Sequence, residues 1–94
     1  MQTSRGPDTT GPKPLTSAQI RAARALIRWS AQDLADASSV GVTTIRRAEL
    51  TASETKLTRV NDQAIRRTLE AAGVEFIDAN GGGPGVRLQV PAQS

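Results

Sequence analysis

The chain has 94 residues, with 12 Lys and Arg against 9 Asp and Glu, and neither Cys nor His. That length allows one small domain. The missing side chains exclude zinc fingers, disulfides, thiol catalysis and imidazole acid–base chemistry.

The net charge is +3, and ten of the twelve bases are arginine, which suits contact with phosphate or guanine. No apolar run approaches the ~18 residues of a membrane span. The N-terminal MQTSRGPDTTGPKP has no apolar core of the kind a signal peptide needs. No membrane association and a cytoplasmic location are expected. Residues 1–14 hold three of the five prolines and no apolar side chain after Met1, so they are expected to form a disordered arm. Arg5 and Lys13 would let such an arm touch a phosphate backbone.

Order is expected from Leu15. Thr16 and Gln19 make a capping box, T-x-x-Q, and a helix follows through SAQIRAARALIRW. Ile20, Ala23, Leu26 and Ile27 are its apolar stripe, and Arg21, Arg24 and Arg28 form a basic face. Trp29, the only Trp, is expected to plug the core at the next corner.

Ala31 to Leu50, AQDLADASSVGVTTIRRAEL, has the grammar of a helix-turn-helix. Ser30 caps the first helix, with Asp33 at its third position. Leu34 and the small Ala35 sit where the second helix crosses closely. Ser39 falls at the turn position that favours positive φ, usually Gly. Val40 plugs the interhelical angle, and Gly41 takes the next N-cap. Ile45 and Ala48 face inward on helix 42–50. Its other side, with Val42, Thr43, Arg46 and Arg47, is then free for a DNA major groove.

TASETKLT reads as a loop. A last helix is expected from about Arg59 or Asn61 to Ala72, burying Val60, Ala64, Ile65, Leu69 and Ala72, with Arg66 and Arg67 outward and Gly73 as its stop. Val74–Asp78 and Val86–Val90 then alternate with period two around the loop ANGGGPG, which predicts a β-hairpin. Val74, Phe76, Val86, Leu88 and Val90 share one face, and Glu75 and Arg87 pair on the other.

RAARALIRWS, the Leu34–Ala35 pair, VGVTTIRRAE and IRRTLEAAGVEFI resemble the xenobiotic-response-element family of bacterial helix-turn-helix regulators, relatives of the phage repressor and Cro proteins. ANGGGPGVRL is similar to a small bacterial subgroup with a C-terminal Gly-rich hairpin. The resemblance runs from Leu15 to Leu88. It implies a mainly α fold, a four-helix repressor-like helix-turn-helix domain with a C-terminal β-hairpin. It also implies a dimer that binds operator DNA to regulate transcription. Three departures stand out. Ala31 replaces a frequent Gln, the base-reading pair falls on Val42 and Thr43, and the hairpin stands in place of a fifth helix.

The expected organisation is therefore an arm over 1–14, a DNA-binding domain over 15–73, a hairpin over 74–90 for packing or dimerisation, and a tail over 91–94. The expected DNA contacts are Val42, Thr43, Thr44, Arg46 and Arg47, with Arg28 and Lys56 on flanking phosphates. The expected partners are double-stranded DNA and a second copy of the chain. The alternative is a repurposed interaction module, an antiactivator or antitoxin that binds another regulatory protein. No cofactor, metal or catalytic residue is expected. The Gly-rich segment lacks the Gly-Lys-Ser/Thr ending of a phosphate loop and leads into a strand.

Overall fold

A computed structural model describes residues 13–89. The expectations for the first twelve residues, Arg5 among them, and for Val90 and the tail lie outside the described residues. The fold is mainly helical. Helices α1 (Ser17–Ile27), α2 (Ala31–Ser38), α3 (Val42–Leu50) and α4 (Arg59–Ala71) precede strands β1 (Val74–Ile77) and β2 (Gly85–Leu88). The strands pair antiparallel, with Val74 opposite Leu88, Glu75 opposite Arg87 and Phe76 opposite Val86.

Local chemistry sets most boundaries. The Thr16 hydroxyl accepts from the Gln19 backbone N–H at 3.1 Å, and the Gln19 side-chain Oε1 accepts from the Thr16 N–H at 3.0 Å. Ser30 and Asp33 repeat this reciprocal capping at α2, at 2.9 Å each way. Helix α1 stops at Ile27, two residues short of the expected end. Arg28 adopts φ +60° there and turns the chain into α2. Ser39 does the same after α2, with φ +64°, and Gly73 after α4, with φ +105°.

The core comprises Leu15, Ile20, Ala23, Leu34, Ala35, Val40, Ile45, Ala48, Ile65, Leu69 and Val74. Several expectations need correction. Leu26 is exposed, because it lies off the Ile20–Ala23–Ile27 stripe that α1 turns to the core. Trp29 is half-buried rather than a plug. It packs against the core and lines an open depression of ≈ 470 Å³ with Ala37, Arg67, Ala71 and Ala72.

Helix α4 is rotated from the expected face. Val60 is 74% exposed, whereas Asp62 and Arg66 are buried. The cause is the segment before α1. Asp62 Oδ1 accepts the Leu15 N–H at 3.0 Å, and Arg66 donates to the Lys13 carbonyl at 2.6 Å. Lys13, within the expected arm, thus already contacts the folded domain. The Arg66 guanidinium also lies over the Phe76 ring, 5.3 Å from its centroid.

The hairpin sits on its own chain. Gln19, already part of the α1 cap, donates through Nε2 to the carbonyls of Gly85 at 3.0 Å and Ile77 at 3.3 Å. Val74 is fully buried, and Phe76 and Val86 pack against the core. The strands are shorter than the alternation suggests, and the Glu75–Arg87 pair forms as expected, bidentate at 3.0 and 3.1 Å. Arg87 holds the Glu75 carboxyl below its ordinary range through that hydrogen bond.

Two outcomes test this architecture. Ser39→Gly removes the left-handed strain of a side chain at φ +64° and is expected to stabilise by about 1 kcal/mol. In thermal melts this is a rise of a few degrees.

The second concerns Asp62. Burial pushes its carboxyl above the ordinary 3.8, against the opposing pull of the Leu15 N–H and the Arg66 charge. A raised folded value means the neutral form is favoured in the native state. The contribution is present below the unfolded value and is lost as pH rises through the folded one. Asp62→Asn keeps an acceptor for Leu15 but carries no charge. Its urea midpoint is expected to exceed the parent's at pH 7, and the difference to close as pH falls below about 4.

Candidate nucleic-acid interface

Helix α3 is aimed by a buried ion pair. Arg24 on α1 meets Glu49 on α3 side-on, Nε to Oε2 at 2.7 Å and Nη2 to Oε1 at 2.6 Å. The same guanidinium donates to the Trp29 carbonyl at 2.9 Å, and Arg21 donates to the Glu49 carbonyl at 2.6 Å. The expected basic face of α1 is therefore largely spent inside the fold. Only Arg28, at the C-terminal end of α1, makes no side-chain hydrogen bond or ion pair among the described residues. The hydrogen bonds that Arg24 donates to Glu49 raise its pKa further, so that side chain stays charged.

Beyond Glu49 the chain runs back along α1. Ser17 donates from Oγ to the Thr51 carbonyl at 2.8 Å and from its N–H to the Ser53 carbonyl at 2.9 Å. These contacts fix the C-terminal end of α3 at two points along α1. Val42, Ile45, Ala48 and Glu49 then face the core, and the opposite face is open.

That open face carries Thr43, Arg46, Arg47 and Leu50, all exposed. At about 100° per residue, positions i, i+3, i+4 and i+7 share one side of a helix. Neither Arg46 nor Arg47 has an ion-pair or hydrogen-bond partner among the described residues. Two expected contacts lie elsewhere. Val42 is half-buried and packs on the core, and Thr44 is half-buried on the flank. The reason is the first turn of α3, where Val42 follows the buried Val40 and closes the α2–α3 corner.

Arg28 and Lys56 stand apart from α3 in sequence and sit at opposite ends of α1. Arg28 follows its last residue. Lys56 lines an open depression of ≈ 450 Å³ with Lys13, Leu15 and Thr16 at its start. An 11-residue helix separates them, about 16 Å along its axis. Both are exposed and both have φ +60°, a conformation uncommon for a side-chain-bearing residue.

Sequence reasoning missed Leu50, which is 84% exposed, and the Arg24–Glu49 pair that orients the helix. The helical spacing of Leu50 from Thr43 and Arg47 was a usable signal. The ion pair joins residues 25 apart and left no local pattern.

The face can offer cationic forks, a hydroxyl and an apolar side chain to a large polyanionic ligand. Among the described residues, no cluster of three or more acidic, His or Cys side chains could hold a metal ion, and no helix is long and apolar enough to cross a membrane. No protein-family model matches the chain, and no curated protein matches it.

If the buried pair orients α3, its loss is costly. Glu49→Gln leaves Arg24 half-buried without its counter-charge. The expected destabilisation is about 3 kcal/mol, read from urea denaturation. A loss under about 0.5 kcal/mol would mean that apolar packing alone holds α3.

Proposed function

We propose that this chain is a sequence-specific DNA-binding regulator of the repressor-like helix-turn-helix kind, with α3 as the helix that enters the major groove. The observation that carries this reading is the division of the arginines. Arg21, Arg24, Arg66 and Arg87 bond to groups within the chain, while Arg46 and Arg47, adjacent on the open face of α3, have no partner among the described residues. An arginine there matches the O6 and N7 acceptors of guanine. Thr43 meets either a phosphate or a thymine methyl, and Arg28 and Lys56 hold phosphates on either side.

The α2–α3 corner supports the same reading. Leu34, Ala35 and Val40 are buried where a close helix crossing needs small or apolar residues, and Ser39 makes the left-handed turn. A single such unit reads only a few base pairs, so two copies on a palindromic site, with half-sites about 34 Å apart, complete the proposal. On the hairpin, Val74, Phe76 and Val86 pack on the chain's own core, whereas Leu88 stays exposed. A cytoplasmic location follows from this role.

A second reading is an antiactivator or antitoxin that uses the same surface on another regulatory protein. It is favoured by the exposed Asp33 and Asp36 on α2, which would repel a DNA backbone, and by Ala31, which offers no hydrogen bond to a phosphate.

The test is selection of bound duplexes from a random pool, followed by binding measurements on the enriched site. Arg47→Ala is expected to weaken the enriched site by about 1–3 kcal/mol and to relax preference at one base pair. Arg28→Ala is expected to weaken all sequences alike. No enrichment, with tight capture of a regulatory protein instead, would favour the second reading.

A further inference from the structure

Leu50 is the one large apolar side chain on the outer face of α3. It is 84% exposed, whereas Leu15, Leu34 and Leu69 are fully buried. Its direction is imposed by its neighbour. Glu49 occupies the position facing α1, held there by Arg24, so the next residue along the helix points about 100° away, into solvent. Leu50 therefore stands beside Arg46 and Arg47, four and three residues before it.

An occupant of this face must satisfy two guanidiniums and cover one isobutyl group. A DNA major groove does both, because it presents anionic phosphates, guanine acceptors and one apolar group, the thymine 5-methyl. We infer that Leu50 is a base-reading residue that packs on the 5-methyl group of a thymine at the outer edge of the half-site. This rests on the DNA-binding reading. The rise from Thr43 to Leu50 is seven residues, about 10 Å. The thymine accordingly lies beyond the base pair that Thr43 meets, toward the C-terminal end of α3. The methyl contact supplies discrimination that Val42, turned toward the core, does not.

The experiment uses the full chain and Leu50→Ala. Because Leu50 is so exposed, the variant is expected to keep its melting temperature. Duplexes are selected from a random pool by each protein. The site enriched by the parent is then resynthesised with deoxyuridine in place of each thymine, one at a time, which deletes only the methyl group. One outer thymine is expected to matter, its replacement weakening the parent by about three- to fivefold, the worth of one buried methyl. Leu50→Ala is expected to bind the thymine and uracil duplexes equally and to select no thymine there. If the parent binds every uracil duplex as well as the original, and Leu50→Ala selects the same site, the inference fails while DNA binding stands. If neither protein enriches any duplex, the DNA-binding reading fails and the inference with it. Self-association of the parent that Leu50→Ala abolishes would put a second copy on this face and also overturn it.

Discussion

The Arg24–Glu49 ion pair is the constraint on which the rest of the structure depends. It joins the middle of α1 to the last turn of α3 through two hydrogen bonds under 2.8 Å, and Glu49 is only 8% exposed. A charge that far from water is tolerated only with a matched partner. The match also aligns the helices, because a guanidinium and a carboxylate meet side-on in one plane. A third donor of Arg24, on Nη1, closes on the Trp29 carbonyl and so ties down the α1–α2 corner. One carboxylate thus sets the orientation of three segments, and the open face of α3 is what that orientation leaves over.

Charge is distributed by the same logic. A chain with a net charge of +3 and ten arginines would read as uniformly basic. The fold sorts those arginines into two classes. Arg66 and Arg24 are structural, one anchoring the segment before α1 and the other anchoring α3. Arg87 pairs with Glu75 across the hairpin, where exposure to water makes its contribution to stability slight. Among the described residues, the cations left without partners include both arginines on α3, which are available to a ligand. Net charge alone says little about binding. The location of the unspent charge says more.

The features legible in the sequence were those decided within a few residues. The Thr16–Gln19 capping box, the Ser30 cap, the turn at Ser39, the stop at Gly73 and the Glu75–Arg87 register depend on neighbours or on period-two alternation, and all appear as read. Helix faces were less legible where a residue's partner is remote. Arg66 looked solvent-facing until Lys13, 53 residues earlier, supplied a carbonyl for it. Val60 looked buried until Asp62 was drawn inward by the Leu15 N–H, 47 residues away. At the candidate site, Thr43, Arg46 and Arg47 were legible from helical periodicity. Val42 is half-buried against the core, which depends on how closely α2 and α3 cross and was not legible from periodicity. The hairpin's apolar face reads as serving packing or dimerisation; Val74, Phe76 and Val86 pack on the chain's own core, while Leu88 stays exposed.

The central claim is that the open face of α3 and its flanking cations meet a nucleic-acid backbone. Its most direct test is the salt dependence of binding to random duplex DNA. Each phosphate neutralised contributes a slope of about −0.9 in a plot of log affinity against log salt. Arg28, Arg46, Arg47 and Lys56 together predict a straight line with a slope of about −2 to −4 per protein chain. No binding at low ionic strength, or affinity that does not change with salt, would contradict the account.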